Sequence, residues 1–292
     1  MGKSARPRFS IFRLQIFMSQ VLSSSVPGSW SWPPIIRASV GWHVAALGAA
    51  CLVPGAAPWA IAAIVLNHAV ITAAGLTPRS SLLGPNVTRL PQAAADRREV
   101  AITIDDGPDP EVTPQVLDLL DAYEQRATFF CIAERVLEHP ALAREIVARG
   151  HSIQNHTARH RHNFSLLGPR GFTAEISRAQ QVLEDATGER PTCFRAPAGL
   201  RNAFLAPVLH GMGLSLVSWT RRGYDTREGD PATVLARLTK NLNAGDILLL
   251  HDGNAARTAA GRAVVLEVLP QLLARIRTDG LRAVTLPKGL TV

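Results

Sequence analysis

Short β-branched runs alternate with amphipathic stretches from residue 99 to the C-terminus, and this alternation limits the folds that the chain can adopt. Seven strands are predicted, at residues 100–104, 127–132, 152–155, 192–194, 215–219, 247–250 and 282–286. Helical patterns with recognisable ends lie between them, including 113–123, 140–149, 173–187 and 259–279. Such alternation predicts a parallel β-sheet, either open or closed into a barrel. Because no GxGxxG or Walker sequence follows the first strand, a nucleotide-binding sheet is disfavoured and a barrel is favoured.

A second region, residues 40–76, carries no charged side chain over 37 positions. A helix needs about 20 apolar residues to cross a bilayer core. The run divides at Pro54-Gly55 into pieces at about 39–53 and 58–76. Trp42 and Trp59 fit interfacial anchors, while Arg37 and Arg79 bracket the whole run. We therefore predict one or two transmembrane helices in residues 39–76.

Two membrane topologies remain open, beside a buried helical hairpin in a soluble protein. A hairpin of two spans returns the chain to its starting side, whereas a single span separates the two ends. Residues 1–38 form a basic, weakly ordered segment without an acidic residue, which places the N-terminus in the cytoplasm by the positive-inside rule. Residues 77–98 read as a linker to a catalytic domain at 99–288. The expected location is a bacterial inner membrane, with the side of the catalytic domain undecided.

Composition excludes two classes of protein. With 47% hydrophobic and 18% charged residues, the chain is not a disordered polymer. The net charge of +8 belongs entirely to residues 1–98, since basic and acidic side chains balance in residues 99–292. A nucleic-acid partner is therefore not expected.

The three cysteines (Cys51, Cys131 and Cys193) show no CxxC spacing and are interpreted as buried thiols.

Polar clusters follow five of the predicted strands. They are Asp105-Asp106-Gly107-Pro108-Asp109, His156-Thr157-Ala158-Arg159-His160, Arg195-Ala196-Pro197-Ala198-Gly199, the stretch from Trp219 to Asp225, and His251-Asp252-Gly253. In a parallel barrel the carboxyl ends of all strands open on one face, where active sites are built. The clusters are therefore expected to converge on one site.

The chemistry of these clusters favours a metal ion. His156 and His160 can present two imidazoles to one ion, and a carboxylate would complete a His₂-carboxylate site. Of the neighbouring Asp105 and Asp106, one can ligate while the other acts as a general base. Because His151 and His162 lie close in sequence, spacing alone does not settle which histidines ligate.

The motifs together resemble those of the polysaccharide deacetylase family (carbohydrate esterase family 4, the chitooligosaccharide deacetylase homology domain), over roughly residues 98–286. The resemblance implies a distorted (β/α)₇ barrel and metal-dependent hydrolysis of an N-acyl group on an amino sugar. It implies Asp106, His156 and His160 as metal ligands. Zinc is the favoured metal, with cobalt, nickel and manganese left open.

The same resemblance assigns the remaining roles. Asp105 would be the general base, held by Arg195, and His251 the general acid, held by Asp225. Ala198 would offer its backbone N–H to the oxyanion, and the resemblance places Ala198, Trp219, Leu249 and Thr226 beside the substrate.

At three positions this sequence departs from the family pattern. Ala198 and Thr226 stand where aromatic residues are frequent, and Arg222 stands where a second acid is frequent. The acyl pocket is therefore expected to be wider or more polar than in enzymes acting on chitin-like polymers.

Three functions follow as hypotheses. The leading one is a membrane-attached deacetylase of an N-acetylated polysaccharide or glycoconjugate. A second is a deformylase or deacetylase of a lipid-linked sugar precursor at the membrane surface. A third, of another class, is a non-catalytic membrane-anchored carbohydrate-binding protein.

Overall fold

The computed structural model describes residues 29–291, and the described residues from Trp32 onward belong to one compact unit. Most of the basic segment predicted for residues 1–38 lies outside the described residues. Its last part, from Pro34, is already helical.

Two helices precede the sheet, α1 (Pro34–Leu52) and α2 (Ala57–Gly75), joined by a turn at Pro54-Gly55. Both are long and apolar enough to cross a membrane. The two helices pack antiparallel, as shown by the contacts of Trp42 with Ala63 and of His43 with His68. This arrangement is a helical hairpin, and α1 begins five residues before the predicted start at residue 39.

Polar side chains contact one another between the two helices of the hairpin, and large apolar side chains are exposed on its surface. Asn67 donates to Ser39 Oγ over 2.7 Å, and the Nε2 atoms of His43 and His68 lie 3.2 Å apart. Large exposed apolar side chains include Val44, Leu47, Trp59, Val65 and Leu66. Only about a tenth of either span is buried within the described residues, so the hairpin does not lie inside the core that these residues form.

Eight parallel strands form the sheet: β1 (Glu99–Asp105), β2 (Ala127–Cys131), β3 (Ser152–Asn155), β4 (Cys193–Phe194), β5 (Ser215–Leu216), β6 (Arg221–Arg222), β7 (Ile247–His251) and β8 (Arg282–Ala283). Their order is β5-β4-β3-β2-β1-β7-β6, with β8 paired to the start of β1. The hydrogen-bonded path ends at β5 and β6, so the barrel is distorted on that side. The predicted (β/α)₇ class is confirmed.

Helices cover the outside of the sheet: α3 (Gln92–Asp96), α4 (Thr113–Ala122), α5 (Ala133–Glu138), α6 (Pro140–Ala148), α7 (Pro169–Thr187), α8 (Leu205–Gly211), α9 (Pro231–Thr239), α10 (Val265–Thr278) and α11 (Leu286–Leu290). The largest apolar core lies between α4, α10 and the strands β1, β2 and β7. Gly188 ends α7 with a φ of 76°, a conformation that glycine adopts without strain. Every residue of the central strand β1 is buried, as expected for a parallel sheet covered on both faces.

Several predicted boundaries are wrong for identifiable reasons. The strands predicted at 215–219 and 282–286 end at Leu216 and Ala283, and β6 was not predicted because two arginines carry no apolar pattern. The helix predicted at 259–279 begins at Val265, because residues 257–263 form a turn closed by the Arg257–Ala263 bridge.

The segment predicted as a linker, residues 77–98, packs against the sheet. Val87 pairs with Val217 beyond β5, and Arg89 pairs with Asp246 before β7. The segment thus occupies the side on which the barrel is distorted. Among the cysteines, Cys131 and Cys193 are buried as predicted, whereas Cys51 is exposed on the hairpin.

Candidate active site

The predicted site residues converge on one cleft of about 690 Å³. Nine of them line it: Asp105, Asp106, His156, His160, Ala198, Trp219, Thr226, Leu249 and His251. Arg195 and Asp225 lie behind the cleft wall, fully buried. The convergence occurs at the carboxyl ends of β1, β3, β4 and β7, as the parallel topology requires.

Three side chains in the cleft have the arrangement of a metal site. Asp106 Oδ1 lies 3.2 Å from His156 Nε2 and 3.3 Å from His160 Nε2. The three potential ligand atoms all lie within 4.8 Å of one another. His151 is not part of the cluster, because its Nδ1 accepts a hydrogen bond from the Ala127 N–H. Geometry therefore selects His156 and His160 from the four nearby histidines.

Backbone contacts aim the two imidazoles. His156 Nδ1 lies 2.8 Å from the Arg195 carbonyl oxygen, so Nδ1 carries the proton and Nε2 faces Asp106. The His160 N–H donates to Thr157 Oγ1, and the Thr157 N–H donates to Asn155 Oδ1. Asp106, Thr157 and His160 have positive φ angles of 73°, 70° and 51°. Such left-handed conformations in non-glycine residues concentrate at functional sites.

The electrostatic environment of this cluster favours a cation. Burial alone would raise the pKa of Asp106, but His156, together with His251 and His160, outweighs burial and holds that pKa well below its ordinary value. Burial would lower the pKa of His156, yet the Asp105 and Asp106 carboxylates raise it. Burial lowers the pKa of His160 to about 4, which leaves its imidazole neutral and able to ligate. Asp106 Oδ1 is buried without a hydrogen-bond partner, so a divalent cation fits these residues.

Asp105, beside this cluster, is fixed by Arg195. Arg195 Nη1 donates to Asp105 Oδ1 over 2.6 Å and to Thr103 Oγ1 over 2.8 Å. The guanidinium also donates to the Ser218 carbonyl and lies 4.1 Å from the Phe130 ring centroid. Asp105 is therefore a buried carboxylate with one oxygen bound and the other directed towards the metal cluster, 3.9 Å from His156 Nε2.

His251, across the cleft, is fixed by Asp225. Asp225 Oδ2 accepts a hydrogen bond from the His251 backbone N–H over 2.7 Å, and Asp225 Oδ1 lies 2.8 Å from His251 Nδ1. Burial would lower the pKa of His251, but the Asp225 carboxylate, together with Asp105 and Asp106, outweighs burial and raises this pKa to about 9. This environment favours the protonated imidazole, which is the form that a proton donor needs.

The remaining predicted residues form the cleft walls. Ala198 has a left-handed backbone, with φ 53° and ψ 8°, and its N–H donates no hydrogen bond within residues 29–291. Gly199 packs so closely against Pro78 and Trp219 that a β-carbon would collide with both. Leu249 lies on β7 beside Trp219, and Thr226 follows Asp225 at the rim.

Sequence reasoning assigned no role to two polar residues that lie next to the site, Asn254 and Asp252. Asn254 Nδ2 donates to Asp106 Oδ2 over 3.1 Å, while Asn254 Oδ1 accepts from Arg135. Asp252 accepts from Thr113 Oγ1, and burial raises the pKa of Asp252 to about 7. The sequence places Asp252 in the His251-Asp252-Gly253 cluster but gives no sign of its partner. For Asn254, a single asparagine in a loop gives no signal before the path of the loop is known.

Comparison with known proteins identifies the family. The family model described as polysaccharide deacetylase matches residues 92–217. A peptidoglycan-N-acetylglucosamine deacetylase of Bacillus cereus is 36% identical over 193 residues, covering 65% of this chain and 87% of the relative. The chain belongs to the polysaccharide deacetylase family. A chitooligosaccharide deacetylase of Azorhizobium caulinodans is 33% identical over 199 residues, which cover 66% of this chain and 94% of that protein.

A solved structure supports the same assignment. A peptidoglycan N-acetylglucosamine deacetylase in complex with 4-naphthalen-1-yl-N-oxidanyl-benzamide aligns with a TM-score of 0.63 and 27% identity. The alignment covers 70% of this chain and 91% of that one. As a member of the polysaccharide deacetylase family, the protein is a sugar N-deacetylase, a hydrolase of carbohydrate metabolism.

Proposed function

We propose that this protein is a membrane-attached, metal-dependent deacetylase in which Asp105 and His251 act as base and acid on opposite sides of a metal held by Asp106, His156 and His160. One observation carries the proposal. The cleft brings a carboxylate held by a buried arginine and an imidazole held by a buried aspartate to either side of a ligand cluster with an unpartnered oxygen.

The ligand cluster would hold one divalent ion, for which zinc is favoured and cobalt, nickel and manganese fit the same donors. Such an ion lowers the pKa of a bound water and polarises a carbonyl. Asn254 would orient Asp106, and the Arg195 carbonyl would orient His156, as outer contacts do in metal sites.

Each step of the proposed reaction is assigned to one residue. Asp105 accepts the proton of the attacking water, whose oxygen bonds to the amide carbon. The free Ala198 N–H donates to the oxyanion of the tetrahedral intermediate. His251 donates its proton to the amide nitrogen as the C–N bond breaks, so that a neutral amine and a carboxylic acid leave. The carboxylic acid and Asp105 then lose their protons, one of which restores the charge on His251. Trp219, Leu249 and Thr226 line the space for the acyl group and sugar.

The first test is acetate release from N-acetylated chitooligosaccharides and peptidoglycan fragments. Metal-loaded wild-type protein is expected to release acetate, and Asp105→Asn or His251→Ala to release at least about a hundredfold less. Circular dichroism and metal content would show that both variants remain folded and loaded. Full activity in either variant would reject its assigned role.

A non-catalytic carbohydrate-binding protein is the alternative of another class. That hypothesis predicts sugar binding without acyl release at any metal loading. An amino-sugar panel assayed together with metal content separates the two.

We further propose that the α1–α2 hairpin anchors the protein as two membrane spans. Its apolar outer surface and antiparallel packing support two crossings over one. The catalytic domain would then lie on the same side of the membrane as Arg37, which the basic N-terminal sequence places in the cytoplasm.

A lipid-linked sugar is the second candidate substrate, and two contacts favour it. The Arg201 N–H donates to the Gly75 carbonyl at the end of α2, and Gly199 in the cleft packs on Pro78. The cleft wall is therefore attached directly to the base of the hairpin. A substrate held at a membrane surface would reach this cleft without leaving the lipid.

A further inference from the structure

The guanidinium of Arg222 enters the catalytic cleft without an acidic partner. Arg222 pairs with Leu249 across β6 and β7, and both side chains line the cleft. Because neighbouring residues of a strand face opposite sides, Arg221 points away from the cleft and binds Asp246. Within residues 29–291 Arg222 forms no salt bridge, and its buried Nε has no hydrogen-bond partner.

Aromatic rings hold this guanidinium in place. Its central carbon lies 5.2 Å from the Trp219 ring centroid and 4.8 Å from that of Tyr224. Contacts of this kind orient an arginine while leaving its N–H donors free at the edge of the plane. Arg222 is therefore an ordered donor, unlike an arginine extended into solvent.

Two acidic side chains on this side of the cleft, Asp105 and Asp225, are already engaged. Asp105 binds Arg195, and both Asp225 oxygens bind His251. Arg195 also lies near Trp219, at 5.8 Å from the ring centroid. Neither Asp105 nor Asp225 is therefore available to neutralise the charge of Arg222.

We infer that Arg222 is a specificity-determining residue that binds a negatively charged oxygen group, a carboxylate or a phosphate, on the amino-sugar substrate. The inference rests on the proposed deacetylase function and names its substrate class. A planar guanidinium with free donors matches both groups bidentately. Arg227, which also lines the cleft and is exposed, adds to the positive field at the rim.

The test compares charged substrates with neutral partners of the same shape. One pair is an N-acetylglucosamine oligosaccharide carrying a carboxylate and its methyl ester. The other is N-acetylglucosamine 1-phosphate and the methyl glycoside. We expect wild-type kcat/KM to favour the charged member of one pair by about tenfold or more. The responding pair identifies the group as carboxylate or phosphate.

Variants assign the preference to Arg222. In Arg222→Gln the charged-to-neutral ratio is expected to fall to near one, chiefly through KM, and in Arg222→Lys to be intermediate. Arg144→Gln, which removes an exposed charge on α6, is the matched control and should keep the wild-type ratio. A wild-type ratio near one in both pairs, or an equal loss on charged and neutral substrates in Arg222→Gln, would overturn the inference.

Direct binding separates this inference from the proposed function. Calorimetry with Asp105→Asn protein measures affinity for the same four sugars without turnover. Preferential binding of a charged sugar that is lost on adding Arg222→Gln supports the anion site even if no sugar is deacetylated. Acetate release without any charge preference would leave the proposed function standing and reject the anion site.

Discussion

Arg195 Nη1 donates to Asp105 Oδ1 over 2.6 Å, and both side chains are almost fully buried, at 1% and 4% exposure. The same arginine also contacts the proposed ligand cluster of Asp106, His156 and His160, because its carbonyl oxygen lies 2.8 Å from His156 Nδ1. Arg195 thus contacts the proposed base through its side chain and one proposed metal ligand through its backbone.

Removal of this guanidinium should therefore cost both stability and turnover. Arg195→Met leaves the Asp105 carboxylate buried and unpaired, so we expect a loss of about 3–5 kcal/mol in the free energy of unfolding and loss of acetate release. Urea denaturation of the variant measures the first effect. The exposed pair Arg190–Glu184 is the control, and Arg190→Met should cost less than about 1 kcal/mol. Equal costs at the two positions would contradict the role of burial.

The predictions from sequence were accurate where buried strands and polar clusters coincide. The ends of β1 and β7 carry Asp105 and His251, and apolar runs followed by polar residues located both strands. The strand β6 escaped prediction because its two arginines are held by pairing with β7 and not by an apolar pattern. Asn254 escaped because its partner, Asp106, lies 148 residues away in sequence.

The Asp225–His251 pair predicts how activity depends on pH. Because Asp225 raises the pKa of His251 to about 9, the proton donor is present below that pH and is lost above it. Activity should therefore fall on the alkaline side near pH 9. In Asp225→Asn the positive charge on His251 loses its partner, the pKa of His251 falls, and the alkaline limb moves to lower pH.

The measurement is kcat/KM against pH for both proteins at saturating metal. The free energy of unfolding of the metal-free protein should also decrease as the pH rises. The raised pKa of His251 contributes stability fully below the ordinary pKa of 6.5, and this contribution is lost as pH rises through about 9. An alkaline limb that is unchanged in Asp225→Asn would show that His251 is not the titrating acid.

Asn254 should tune metal affinity without ligating the metal. Its Nδ2 donates to the second oxygen of Asp106, and the first oxygen faces the histidines. We expect Asn254→Ala to weaken zinc binding by about 10–100-fold, measured by competition with a chelating dye. Gln181→Ala, an exposed amide on α7 that binds Asp185, is the control and should not change zinc affinity. Wild-type zinc affinity in Asn254→Ala would remove Asn254 from the site.

The hairpin predicts the membrane topology. Two spans return the chain to its starting side, so reporters fused before Arg37 and after Val292 should report the same compartment. On the positive-inside rule that compartment is the cytoplasm, which would direct the search for substrates to lipid-linked or soluble precursors. Reporters in opposite compartments would mean one net crossing and a catalytic domain facing the cell wall.

The central claim is that Asp106, His156 and His160 hold a metal required for deacetylation, and metal content and acetate release measured on one sample test it most directly. When a divalent metal is added back to chelator-treated wild-type protein, acetate release should rise in proportion to the metal bound and reach its maximum at one ion per chain. Asp106→Ala and His160→Ala should neither bind that ion tightly nor regain activity, while Asp105→Asn should bind it and stay inactive. Full acetate release from protein without metal, or from Asp106→Ala, would contradict the account.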